Sequence, residues 1–269
     1  MTSPTFPPPA WLVGCGNMAG AMVEGWRAAG LDLSGVIAIR PSGTPVEGVR
    51  TVTALPEGEA PRFVMLGVKP QKLDEVVPGL APRVTKDTVV VSLLAGVDAA
   101  TLRRHFPGAA AIVRAMPNLA VAVGQGVTAL YSADADRDPA IGRLMNALGD
   151  APWCKDDDEL AAIGALAGSG PAYVARFAAA MGTGGEVMGL DPERAAAIAA
   201  RTLVGTAALI DRGEGFASLA GRVASPNGTT EQGLAVLDAS DGLQPLVDRM
   251  FAAAIARGKA MAAEAAARG

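Results

Sequence analysis

Ala10-Trp11-Leu12-Val13-Gly14-Cys15-Gly16-Asn17-Met18-Ala19 decides the fold of the first half of the chain. Four apolar residues run into a glycine turn, and residues 17–29 then place Met18, Met22 and Trp26 at helical spacing until Gly30. A Gly-x-Gly-x-x-Ala turn between a strand and a helix is the arrangement that receives a dinucleotide pyrophosphate. Gly14 allows the tight turn, Gly16 lets the backbone approach the phosphates, and Ala19 keeps helix and strand close. The start of the helix supplies unpaired N–H groups and positive potential. Gly14, Gly16, Asn17, Met18 and Ala19 are therefore candidate cofactor contacts. The bland alternative, a βα turn that binds nothing, is disfavoured because strand, helix and spacing occur together.

Further apolar runs at 36–39, 63–68, 88–94, 110–115, 126–131 and 151–154 read as strands, with helical segments between them at 99–106 and 139–148. Apolar strands alternating with helices predict a mainly parallel sheet covered on both faces. Beyond Asp158 the strand signal stops. Helices are expected over 159–167, from Pro171 towards Met188, from the Asp191-Pro192 cap to about Gly213, and from about Gln244 into the Ala-rich tail. Abundant Ala and Gly in this half predict close helix packing. The fold expectation is α/β: a Rossmann-type, doubly wound sheet at 10–157, then an all-α domain at 158–269. Residues 1–9, with three consecutive prolines, are expected to be a flexible leader.

Strand ends supply the rest of the candidate cofactor site, because ligands of open parallel sheets bind beyond the carboxyl ends of the strands. The second strand ends in Arg40-Pro41-Ser42, where an NAD site usually offers a carboxylate to the ribose. Arg40 attracts a 2′-phosphate and Ser42 can donate to it, so NADP(H) is the expected cofactor and NAD(H) the second choice. Val68, Lys69 and Pro70 close the next strand, and Ala95 the one after. For Arg40 and Lys69 the competing reading is an exposed, solvated side chain.

The inventory excludes many chemistries. Net charge is −4 with no basic tract, which argues against nucleic acid. No apolar run is long enough to span a bilayer, and the N-terminus lacks the charged and apolar regions of a signal peptide. With two cysteines, Cys15 and Cys154, a disulfide framework is excluded and a cytoplasmic protein expected. One histidine, His105, late in a helix, and two separated cysteines cannot assemble a typical metal site. After Lys155 only Lys259 remains, so the helical half offers no core lysine to protonate an alcohol. A protonated imine needs little acid catalysis and fits better as hydride acceptor: the protein must orient two partners and favour the cation.

Ser225-Pro226-Asn227-Gly228-Thr229-Thr230 suits such a substrate. Asn227 and Gly228 tolerate unusual backbone angles, and the threonines lead into a helical stretch whose free N–H groups and hydroxyls can grip a carboxylate. One threonine hydroxyl can also bond the ring nitrogen. Alone, the loop does not outweigh an ordinary capped helix start.

Taken together, Gly14 to Ala19, Val68-Lys69-Pro70-Gln71, Arg114-Ala115-Met116-Pro117-Asn118, Leu166-Ala167-Gly168-Ser169-Gly170-Pro171-Ala172-Tyr173 and Ser225 to Thr230 resemble the pyrroline-5-carboxylate reductase family. The resemblance implies reduction of 1-pyrroline-5-carboxylate to L-proline by NAD(P)H, the last step of proline synthesis. It implies that the helical domain binds substrate and dimerises, with larger assemblies such as a decamer, and that an active site borrows residues from two chains. It makes Ser225, Asn227, Gly228, Thr229 and Thr230 the substrate loop, with Thr230 at the ring nitrogen as the catalytic candidate. Met116, Pro117 and Asn118 become the floor near the nicotinamide. Asn227 stands where the family commonly has glycine, Leu119-Ala120 replace Thr-Pro, Gln125 stands for glutamate, and 51–55 lacks an asparagine often near the adenosine. The alternatives are a reductase of a related cyclic imine, such as a piperideine carboxylate, and a cofactor-sensing protein without turnover.

Overall fold

The structure is a computed structural model and describes residues 4–134 and 139–266. Strand β1 (Ala10–Val13) is buried at all four positions because apolar layers cover both faces of the sheet. Ala10 and Leu12 join Met22 and Trp26 of helix α1 (Asn17–Ala28) in one layer. Trp11 and Val13 join the other, with Leu73 and Leu80 of α2 (Leu73–Leu80) and Leu102 of α3 (Ala99–His105). The Trp26 indole N–H donates to Leu144 O at 2.8 Å, so this fully buried ring keeps its polar group paired.

The remaining strands are β2 (Val36–Ile39), β3 (Arg50–Val52), β4 (Phe63–Leu66), β5 (Val89–Ser92), β6 (Ala111–Pro117), β7 (Gly126–Tyr131) and β8 (Gly149–Asp150). Their order is β3-β2-β1-β4-β5-β6-β7-β8, parallel except for the antiparallel β6–β7 pair. The chain winds outward from β1 to β3, then returns to β4 on the other side of β1. That reversal opens a crevice at the carboxyl ends of β1 and β4, where doubly wound folds bind ligands.

Three features depart from expectation. Phe6 is buried and stacks edge-on against Trp26 and Phe63, at centroid distances of 4.9 and 5.4 Å, while Pro9 O accepts from Arg62 N–H. Residues 4–9 are therefore not a flexible leader: one aromatic ring anchors them, and residues 1–3 lie outside the described residues. β3 is an edge strand of three residues, too short to show a pattern. The last strand is centred on Gly149–Asp150, and of the expected 151–154 run Trp153 adds a single bridge to Leu130.

Contacts divide the chain into two compact units, Met1–Ser169 with Ala254–Gly269, and Gly170–Ala253. The first unit therefore keeps α4 (Pro139–Asn146), α5 (Asp157–Ile163) and a π-helical turn, Gly164–Gly168. The expected boundary at 157/158 lies one short helix earlier. Leu160 of α5 is buried with Ala129 and Cys154, and that contact holds the helix on the sheet.

The second unit is built on α6 (Gly170–Val187) and α7 (Pro192–Asp211), with α8 (Phe216–Val223), α9 (Thr229–Leu237) and the first part of α10 (Leu243–Ala266). Gly182 and Gly185 face Ala195 and Ala196; a methyl added at Gly185 would sit 3.1 Å from the Ala195 methyl. Small residues thus set the α6–α7 spacing, as the composition predicts. The Asp191 carboxylate caps α7 by accepting from Arg194 N–H at 3.0 Å. α8 is a short helix that the sequence reading left out.

Candidate active site

The β1–α1 turn divides its duties between two glycines. Gly14 has φ +79°, and a methyl there would lie 2.6 Å from Val68 Cγ1 and 2.8 Å from Val68 N. Both the backbone angle and the approach of the β4 exit exclude a side chain. Gly16, at φ −82°, would meet nothing within 4 Å if it carried a methyl. The fold does not require glycine there, whereas a ligand lying on the turn does. This open cradle at a helix N-terminus fits a dinucleotide pyrophosphate.

Gly67, which the sequence reading missed, completes the close approach: a methyl on it would run into Gly14 O and lie 3.2 Å from the Ala19 methyl. The available signal was a glycine directly after an apolar strand. Ala19 is buried and Met18 packs against the core, so these two candidates seat the helix on the sheet.

An open cleft of about 430 Å³ adjoins this turn, lined by Cys15, Gly16, Asn17, Arg40, Arg27 and Glu47 among others. Arg40 Nη1 donates to Thr44 O at 3.0 Å, and Ser42 Oγ lies 3.0 Å from Thr44 Oγ1. Residues 40–44 thus form a self-braced turn with a guanidinium held by a carbonyl, not by a carboxylate. Glu47, a carboxylate in reach of the cleft, is ion-paired with Arg27. Ser42 itself does not line the cleft. Burial pushes the Cys15 thiol up, and the Arg40 charge only partly opposes that, so Cys15 stays neutral and is no nucleophile.

Farther along the same sheet edge stand Val68, Lys69 and Pro70 after β4, Ala95 after β5, and Met116, Pro117 and Asn118 at the end of β6. Lys69 is exposed, and its carbonyl accepts from Lys72 N–H to start a 3₁₀ turn. Pro70 and Ala95 line a second depression with Val97, with Asp98 and His105 at the two ends of α3, and with Arg257 and Met261 of α10. Gly96 (φ +78°) lets the Met261 backbone approach to 3.2 Å of where its methyl would be. The His105 imidazole is near Asp74 (3.9 Å), at the edge of that depression. Burial opposes the charge of Asp98, but the Thr101 N–H at 2.6 Å, its hydroxyl, Arg104 and Arg114 outweigh this and hold the carboxyl below its usual range.

In the second unit, Ser225–Thr230 forms a turn that opens α9. Asn227 carries the left-handed angle, φ +58°, a conformation that asparagine tolerates better than most residues other than glycine. Gly228 has φ −82°, so it is not glycine for its angle; a side chain there would strike Ser225 Oγ. Gly228 N–H donates to Ser225 O at 2.9 Å, and Asn227 N–H to the Glu231 carboxylate at 2.7 Å. Because the cap residue is glycine, no side chain caps the first-turn N–H groups of α9. Thr229 is exposed and Thr230 half-buried. The structure thus gathers the cofactor candidates on one sheet edge and the substrate-loop candidates on one helix start.

Among the described residues no group of His, Cys, Asp and Glu could hold a metal ion, and no helix is long and apolar enough to cross a membrane.

Residues 157–261 match the family described as pyrroline-5-carboxylate reductase dimerisation, and residues 11–96 that of NADP oxidoreductase, coenzyme F420-dependent. The chain is 33% identical to a pyrroline-5-carboxylate reductase of Pseudomonas aeruginosa over 93% of its length and 96% of that relative's. Against the reductase of Pisum sativum the identity is 32%, covering 90% and 92% of the two chains. A solved pyrroline-5-carboxylate reductase from Coxiella burnetii superposes with a TM-score of 0.85 at 31% identity, covering 94% of this chain and 98% of that one. The Plasmodium falciparum enzyme, solved with NADP bound, shares the fold at a TM-score of 0.80 and 21% identity, covering 96% and 99%. With such end-to-end identity across both compact units, this chain belongs to the pyrroline-5-carboxylate reductase family.

Proposed function

We infer that the chain reduces 1-pyrroline-5-carboxylate to L-proline, with NADPH as the preferred reductant. The observation that carries this reading is the match to a reductase of that name over 96% of the relative's length, which leaves neither unit unexplained. Gly14 and Gly16 hold the pyrophosphate against the start of α1, and the Arg40–Thr44 turn receives the adenosine end. Arg40 is held by a carbonyl and Glu47 is occupied by Arg27, an arrangement suited to a 2′-phosphate rather than a free ribose. Ala95, Met116 and Pro117 line the nicotinamide end. The bound cofactor supplies a hydride from C4 of its reduced ring.

The first-turn N–H groups of α9, with Ser225 and Thr229, take the substrate carboxylate. Thr230 lies at the ring nitrogen, where its hydroxyl orients the C=N group and passes the nitrogen's proton to or from water. No side-chain acid is needed, because a protonated imine carbon is already electrophilic. The helical unit forms a homodimer: Phe177, Met181 and Val204 are exposed on α6 and α7, and apolar surface of this kind is usually covered. A larger ring such as a decamer is the further assembly we assign. The cytoplasm is the compartment that fits two buried cysteines and a reduced dinucleotide.

The test is loss of NADPH absorbance with synthetic pyrroline-5-carboxylate, in the wild type and in Thr230→Ala. The variant should lose about tenfold or more in kcat/KM, the scale of one directed hydrogen bond, while NADPH affinity changes little. Equal losses in both would remove Thr230 from its assigned role. Turnover of a piperideine carboxylate in preference to the pyrroline would move the substrate assignment to the larger ring.

A further inference from the structure

Asn118 follows the last residue of β6, is 6% exposed, and has both ends of its side-chain amide engaged by the protein. Its backbone N–H donates to Val127 O at 3.1 Å and its Oδ1 accepts from Val127 N–H at 3.2 Å. These bonds clamp the start of β7 just beyond Pro117, which has no N–H of its own to offer. Its Nδ2 donates to Ala167 O at 3.0 Å, in the π-helical turn Gly164–Gly168. The sequence explains why that carbonyl needs a partner. In an α-helix it would accept from the residue four positions on, and that residue is Pro171.

The same turn touches the β6 end a second time. Met116 occupies the space where Gly164 has no side chain, its Cε 3.3 Å from the position a methyl would take. One amide therefore ties together the end of β6, the start of β7 and the turn on which Met116 rests. Only an amide offers a donor and an acceptor in this geometry; an ionised carboxylate of equal size accepts but cannot donate.

We propose that Asn118 is a positioning residue for the nicotinamide end of the cofactor site. It fixes the Gly164–Gly168 turn against β6 and so holds Met116 in one place, without offering its amide to the ligand. The proposal rests on the placement of the nicotinamide given above.

Asn118→Ala and the isosteric Asn118→Asp, made in the full chain, test it by titration with NADPH and with 2′,5′-ADP, which keeps the phosphorylated adenosine but has no nicotinamide. Both variants should bind NADPH about fivefold or more weakly and 2′,5′-ADP within about twofold of wild type, and kcat with pyrroline-5-carboxylate should fall about tenfold or more. Retained 2′,5′-ADP binding certifies that the first unit is folded. Equal weakening of both ligands, no change in either, or wild-type behaviour of the Asp variant would each overturn the proposal. If the wild type shows no turnover while the two ligands still separate in the variants, the positioning role stands and the substrate assignment fails. If the wild type does not bind NADPH, both fail.

Discussion

Replacing Gly16 and Gly14 by alanine, one at a time, separates what the cofactor requires from what the fold requires. At Gly14 the alanine would be forced into the left-handed region, which costs about 1–2 kcal/mol. Its methyl would also sit 2.6 Å from Val68 Cγ1 and 2.8 Å from Val68 N, an overpacking term of about 1–3 kcal/mol. The two give a loss of roughly 2–5 kcal/mol in unfolding free energy. At Gly16 the methyl meets no atom within 4 Å and φ is −82°. Lower entropy of the unfolded chain favours the variant and the poorer helix cap opposes it, so its stability should stay within about 1 kcal/mol of wild type. If the proposed placement holds, the empty space beside Gly16 receives the pyrophosphate, and the added methyl should raise the NADPH Kd by about tenfold or more, 1.4 kcal/mol per decade. Urea unfolding measures the first quantity, and titration of NADPH fluorescence the second. A stable Gly16→Ala protein that binds NADPH as tightly as wild type would refute the placement of the pyrophosphate.

Arg40→Ala should weaken NADPH by about tenfold, the worth of one charge-assisted contact, and NADH much less; an unchanged ratio of the two Kd values would refute the 2′-phosphate assignment. Asp98 caps α3 with a carboxyl held below its usual range, so its contribution to stability is complete above about pH 4, the unfolded-state value, and is lost as pH falls through the lower folded-state value. Asp98→Ala should cost about 0.5–2 kcal/mol at pH 7, and Asp98→Asn should keep most of the cap while flattening the acid limb of a thermal-melt series; an unaltered acid limb would count against this. Thr128 is buried with a hydroxyl that has no hydrogen-bond partner among the described residues. Thr128→Val should therefore be neutral or stabilising by up to about 2 kcal/mol in urea unfolding, and a loss of more than about 1 kcal/mol would show that the hydroxyl is paired in solution.

Local chemistry made the first half of the fold legible. An apolar run into a glycine turn and then a 3.6-residue repeat can satisfy its backbone in few ways, and repeated strand–helix alternation needs a parallel sheet covered on both faces. The placement of the cofactor candidates on one sheet edge was legible for the same reason: strand ends mark that edge. Left-handed turns were partly visible, since Asn227-Gly228 announced one positive φ; the structure places it at Asn227 and gives Gly228 a different reason for having no side chain. The three-residue edge strand β3 stayed hidden because so short a run carries no alternation, and α8 was not separated from the glycine-containing segment around it.

By itself the sequence determined the order of elements, the glycine turn, the strand-end arginine in place of a carboxylate, and the blocks that mark the family. Each is a property of neighbouring residues, set by backbone sterics, side-chain type and charge. Only the tertiary structure decided that Phe6 anchors the segment expected to be loose, that Gly67 and Gly164 make room for Gly14 and Met116, and that Asn118 serves the Ala167 carbonyl. Those pairings join residues tens of positions apart, and no local rule says which buried polar group or which empty space will find which partner.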